Sequence, residues 1–279
     1  MLKNLCVASV LMLLAGLAGS ALAEEKACPA AGDMINNSNN LIMLSGTAKG
    51  NIHRVVGGML GKDLDEQARS SILFDHCGVL TEEAYDYHKA EGNVALSMSN
   101  HIRRTPDGGW DSVYDIAIFA RRGDQVKLVN HKQGETHFFV GKHGVITSSS
   151  DVFTLNDQPG FTSATYDYDP RLRLVQSTAR GSDALSNDHS VYHYDKKDLF
   201  SEVISSDGKT TFQYDAKGNE KGSFSFSRTP VSEITKKESC QRNDSMGNCI
   251  LSYGREMEIS SQGIIYRHRS TATQYEYWE

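Results

Sequence analysis

From about residue 50 onward the chain alternates apolar and polar residues with a period of two, and this limits the folds open to it more than any other feature. The segments "NVALSMS", "VYDIAIFA", "QVKLVNH", "THFFVG", "SVYHYD", "TFQYD", "SFSFS" and "IIYRHR" all alternate or are rich in β-branched and aromatic residues. Between them lie short glycine-bearing links: "PDGG" at 106–109, "RRGD" at 121–124, "KQGE" at 132–135, "GKHG" at 141–144, "SDGK" at 206–209 and "AKGN" at 216–219. Glycine supplies the positive φ that tight hairpin turns require. The pattern predicts an all-β protein of consecutive antiparallel hairpins, forming a curved sheet or an open barrel or sandwich. Helical signals are few. Asp63 stands where a helix cap would in "KDLDEQARSSI" at 62–72, but the stretch reads better as a turn leading into the strand "SSILFD". "NNSNN" at 36–40 and "TPVSEITKKES" at 229–239, which contains Pro230, read as loops.

The N-terminus reads as a secretory signal peptide over residues 1–23. Lys3 provides the positive start, Leu5 to Leu17 the apolar run, and Ala21-Leu22-Ala23 a cleavage site before Glu24. The remaining residues, 24–279, are expected to form a single β-rich domain in the periplasm or outside the cell. No later stretch has the length and apolarity of a membrane helix. A net charge of -6 gives no basic patch for nucleic acid.

Cys6 lies in the leader, which leaves Cys28, Cys77, Cys240 and Cys249. An even number in an exported chain predicts two disulfides, and no Cys-x-x-Cys pair suggests zinc. Four cysteines allow three connectivities. Cys240 opposes Cys249 across a hairpin if its loop is Asn243-Asp244-Ser245-Met246. If the turn instead follows its Asp-x-x-Gly register, Cys249 opposes Arg242 and Cys240 lies two residues off. Bond and ideal turn therefore compete. The expected pairing is Cys240–Cys249 with a distorted or four-residue loop, and by default Cys28–Cys77.

An internal repeat runs through the strands. Each copy ends a strand in Tyr-Asp or Phe-Asp and then turns: Phe74-Asp75 with Gly78, Tyr168-Asp169, Tyr194-Asp195, and Tyr214-Asp215 with Gly218. Leu172 and Asp198 stand at the glycine position of the two middle copies. The stretch at about 160–226 resembles the YD-repeat hairpins of rearrangement-hotspot and teneurin-type shells. Asp244 to Asn248, with Gly247, repeats the turn inside the cysteine-bracketed hairpin. A second resemblance is carried by "KKESCQRNDSMGNCIL", "IIYRHRSTATQYEYWE" and "GNIHRVVGGML…SSILFDHCGVL". Together these resemble the YnfC-type envelope lipoproteins of enteric bacteria, although the lipidated cysteine of that family has no counterpart here. The resemblance implies a β-rich envelope protein and no specific activity.

Candidate chemistry is sparse. Asp167, Asp169, Asp195 and Asp215 would have to pair across a cleft to act as a hydrolase, but each is better explained as a turn residue accepting backbone N–H bonds. His131, His137 and His143 recur at a spacing of six, which satisfies few of the requirements of a metal site. There is no Gly-x-Ser-x-Gly, His-Glu-x-x-His or P-loop motif. In the closing "QYEYWE", Tyr275 and Tyr277 share one strand face and Trp278 the other, on an edge or final strand. These features point to an exported, non-enzymatic envelope protein, without cofactor, presenting a β-sheet surface to a protein or glycan partner. The alternatives are an envelope-polymer hydrolase using an Asp pair and a periplasmic immunity protein against a secreted toxin.

Overall fold

The computed structural model describes residues 28–182 and 186–279. The expected leader, with Ala23 and Glu24, lies outside them. The alternating segments form sixteen antiparallel strands, each hydrogen-bonded to its neighbours in sequence. The first strand, β1 (Ile52–Gly61), pairs with the last, β16 (Gly263–Tyr277), so the sheet is a closed barrel. Closure leaves no free edge. The final strand is accordingly not an edge: Val55 pairs with Tyr275 across the seam.

Three expectations about local structure are corrected. "KQGE" at 132–135 is not a hairpin link, because Gln125–Val140 runs through it as one strand paired on both sides. Residues 229–239 are not one loop, because the strand Ser232–Asn243 (β14) begins immediately after the turn that holds Pro230. "NNSNN" is not a loop either but the middle of a helix, α1 (Gly32–Leu44). Its Asn and Ser residues disfavour an isolated helix because they compete for backbone hydrogen bonds. Its N-cap, Ala31, makes no side-chain cap. Tertiary contacts therefore hold α1. Sixteen-stranded barrels are too wide for wall side chains to fill, and α1 occupies one end of this lumen.

That end is built by seven turns of one design, at 75–79, 105–109, 141–145, 169–173, 195–199, 215–219 and 244–248. In each, the first N–H donates to the fifth carbonyl and the fourth N–H donates to the first carbonyl. The fourth residue has positive φ, including Leu172 (64°) and Asp198 (63°), where the repeat lacks glycine. Five turns open with Asp. Its Oδ1 accepts the N–H groups two and four residues on, as Asp215 does from Lys217 and Asn219, both at 2.8 Å. The residue before the turn reaches the preceding hairpin. Tyr194 OH donates to Leu174 O at 3.1 Å, Tyr214 OH to Phe200 O at 2.8 Å, and Asn243 Nδ2 to Glu220 O at 2.9 Å. In the Tyr-Asp pair, then, the Asp closes its own turn while the Tyr fastens the turn to its neighbour. After five of these turns the next residue is buried, and Leu80, Trp110, Ile146, Leu174 and Phe200 form a ring around α1.

The two disulfides are Cys28–Cys77 and Cys240–Cys249, with Cα separations of 5.3 and 5.7 Å. The turn at 244–248 keeps the common geometry, and the flanking strands absorb the misfit. Asn243 pairs with Cys249, Arg242 with Leu251 and Cys240 with Ser252. Gln241 and Ile250 are each skipped, giving one bulge per strand. The distortion expected in the loop thus lies in the ladder, where one extra residue is easily absorbed.

Candidate functional site

The candidate site is the lumen above the helix, and α1 sets its floor. Asn39 Nδ2 donates to Gly144 O and its Oδ1 accepts from Ile146 N, both at 2.9 Å. Ser38 does the same one turn over, donating to Leu172 O at 2.8 Å and accepting from Leu174 N at 3.1 Å. Asn36 donates to Cys77 O at 2.7 Å, beside the Cys28–Cys77 bond. After the helix, Lys49 N donates to Asn248 Oδ1 at 2.8 Å, and Lys49 Nζ donates to Gly218 O. Five of the seven turns are therefore bound to one segment. The polar groups that make α1 a poor helix in isolation satisfy the inward carbonyls and N–H groups of the rim.

Above the C-terminal end of α1 lies a chamber of about 680 Å³, lined by Met43, Leu44 and Ser45 from the helix end and by inward residues of successive strands. Glu83 comes from β3 (Leu80–Glu91), Tyr114 from β5 (Trp110–Arg122), Lys132 from β6 (Gln125–Val140) and Asp151 from β7 (Ile146–Leu155). Two polar chains fix these groups. Ser112 Oγ donates to Asn100 Oδ1 at 2.6 Å, and Asn100 Nδ2 donates to Glu83 Oε2 at 3.0 Å. Tyr114 OH donates to Asp151 at 3.0 Å, and Thr136 Oγ1 donates to the same carboxylate at 3.2 Å. Lys132 Nζ sits 3.9 Å over the Phe153 ring and makes no ion pair with a described carboxylate. Burial pushes the Glu83 carboxyl up to about 7, despite the bond from Asn100. Burial and the Asp151 carboxylate hold the Tyr114 phenol protonated.

Farther along the lumen, buried ion pairs take over. Arg267 contacts Glu256 at 2.8 Å, Glu258 at 2.7 Å and Glu91 at 2.9 Å, and Arg269 contacts Glu256 at 2.7 Å. These groups pair with one another, while Glu66 Oε2 beside Arg269 is buried without a hydrogen-bond partner.

The residues singled out by sequence fall elsewhere. Asp169, Asp195, Asp215 and Asp244 each close a different turn around the rim, and the bonds from Asn219 and Lys217 hold the Asp215 carboxyl below its usual range. Gly218 and Gly247 are the positive-φ residues of their turns, and Tyr214 is a rim fastener. Asp167, expected as a turn residue, instead lies within the strand Gln158–Tyr168 and accepts from Gln176 Nε2 at 3.2 Å, outside the chamber. His131 and His137 point outward from β6, each to its own carboxylate, Asp115 and Asp111, while His143 is exposed in a turn. With a strand rise of about 3.3 Å per residue, His131 and His137 stand about 20 Å apart. Among the described residues the close Cys and His group is Cys28, His76 and Cys77, and its two sulfurs are bonded to each other. Sequence reading missed Glu83, Asn100, Tyr114, Lys132 and Asp151. Each occupies the inward phase of its strand, and only barrel closure brings them together.

No family model matches the chain, and no curated protein matches it. Among solved structures, a porin-like protein from Bacteroides uniformis aligns over 81% of this chain and 98% of its own, with 9% identity and a TM-score of 0.38. A similarity of that degree assigns no function.

Proposed function

We propose that the protein is an exported, non-enzymatic binding barrel, released into the periplasm or beyond after cleavage between Ala23 and Glu24, that holds a small ligand in its lumen. The observation that carries this reading is the chamber above α1: a polar-and-apolar pocket of ligand size in a barrel closed at one end by its own helix. The outer wall supports it. Arg69 opposes Asp86 and Lys237 opposes Arg255 on outward positions midway along their strands. A Lys or Arg facing lipid at mid-bilayer costs about 2–4 kcal/mol, so this wall suits water. No described helix is long and apolar enough to cross a membrane. A second reading, docking of a protein or glycan on the outer sheet, is favoured by one row in which exposed Val113, Val152 and Phe161 lie in register across Glu135.

The test is to purify the exported chain from envelope extract without detergent and identify small molecules released on denaturation. Met98 lines the chamber beside Ile116 and Asn100, and Met98→Trp sets an indole where the ligand would lie. The lumenal reading expects a stoichiometric small molecule on the natural chain and none on an equally stable Met98→Trp protein. An empty natural chain, or equal loading of both, overturns it.

A further inference from the structure

The chemistry of the chamber wall is one-sided. Two carboxylates, Glu83 and Asp151, face it, and the C-terminal end of α1 adds the partial negative charge of its last carbonyls. Tyr85 and Tyr114 offer ring faces, and Met43 and Met98 offer polarizable thioethers. Against these stands one cation, Lys132, and it rests on aromatic faces: 3.9 Å over Phe153 and 5.8 Å over Tyr114. The wall thus already holds one ammonium by its rings. Glu83 is the telling group. It is only 6% exposed, one oxygen accepts from Asn100, and Oε1 has no hydrogen-bond partner among the described residues while the side chain lines the chamber. This oxygen is not among the sealed, unpartnered atoms of the described residues; it opens to the chamber, where an entering donor can reach it.

We propose that the chamber binds a small organic cation, a primary ammonium on an apolar body, with the ammonium donating to Glu83 Oε1 and the apolar body lying against Ile72, Met98 and Ile116. This rests on the lumenal reading above and names its ligand class. The elevated Glu83 carboxyl fits, since an arriving cation would stabilise the ionised form that burial disfavours. Lys132 acts as the internal competitor, limiting the chamber to one further positive charge.

The test is titration calorimetry of the whole exported chain at pH 8 with three six-carbon probes: hexylammonium, hexanol and hexanoate. We expect one hexylammonium per chain, bound about tenfold tighter than hexanol, the equivalent of one charge-assisted contact, with hexanoate weakest. Glu83→Gln should weaken hexylammonium by about tenfold and leave hexanol unchanged. Lys132→Met should tighten hexylammonium several-fold, a gain that misfolding cannot produce. Equal binding of hexylammonium and hexanol, both lost in Met98→Trp, overturns the cation proposal while leaving a lumenal ligand site intact. Tighter hexanoate binding, or an unchanged hexylammonium affinity in both Glu83→Gln and Lys132→Met, also overturns it. Failure of all three probes to bind overturns it as well, and the extraction experiment then decides separately whether the lumen holds any ligand.

Discussion

Asn39→Ala offers a sharp view of how the barrel is closed. Asn39 is 3% exposed and bridges Gly144 O and Ile146 N, both at 2.9 Å. Alanine leaves one buried carbonyl and one buried N–H without partners. Each such group costs about 1–3 kcal/mol, so the total is about 2–5 kcal/mol after a small gain in helix propensity of about 0.5 kcal/mol. Asn40 is the internal control, since its side chain makes no hydrogen bond to the described residues. Asn40→Ala should therefore be neutral or stabilise by about 0.5 kcal/mol. The assay is urea unfolding of both variants, followed by tryptophan fluorescence, for which buried Trp110 is the reporter, and far-ultraviolet circular dichroism. Ser38→Ala frees a different hairpin but loosens the same helix, so its cost and that of Asn39→Ala should not add. Equal midpoints for Asn39→Ala and Asn40→Ala would refute the docking of α1 on the turns.

Other outcomes follow from the same geometry. Gly218→Ala should cost about 1–2 kcal/mol through backbone strain alone; φ is 84° there, yet an added Cβ meets Leu199 and Lys49 only at ordinary contact distance, so thermal melts of this variant isolate the turn conformation. Removing Cys28–Cys77, which spans 49 residues, should cost about 4 kcal/mol, against about 3 kcal/mol for Cys240–Cys249, which spans 9, as read from urea midpoints of the paired Cys→Ala variants. A Glu83 carboxyl raised from 4.5 to about 7 opposes the native state only once it ionises, so its penalty is absent at pH 4 and grows as pH rises toward 7. Glu83→Gln should raise stability by about 1–3 kcal/mol at pH 8 and leave it unchanged at pH 4. The Asp215 carboxyl is lowered, so its contribution is present above the ordinary carboxylate range and is lost as pH falls through its folded value; Asp215→Asn should flatten that acid limb of the stability profile.

The strands and turns were legible because alternation and turn chemistry are local. Tyr214, Asp215 and Gly218 announce a strand end and a hairpin, and the structure uses them so. The helix was not legible. "NNSNN" has turn-like composition, and only the rim hairpins give Ser38 and Asn39 partners that favour a helix. The chamber was hidden for a related reason. Glu83 and Asp151 are far apart in sequence and lie on strands whose two faces are both rich in polar residues, so alternation did not separate lumen from outer wall. Closure of β1 on β16 decides which polar residues meet. The cysteine hairpin shows competition resolved: the turn at Asp244 kept its geometry because its bonds are several and local, and the ladder yielded at Gln241 and Ile250.

The central claim is a barrel closed at one end by its own helix, and hydrogen exchange of the folded protein tests it most directly. The account predicts that amides of residues 32–44 exchange as slowly as those of the strands, and that Asn39→Ala accelerates them selectively. Amides of 32–44 exchanging at the rate of an unstructured peptide, while the strands stay protected, would contradict it.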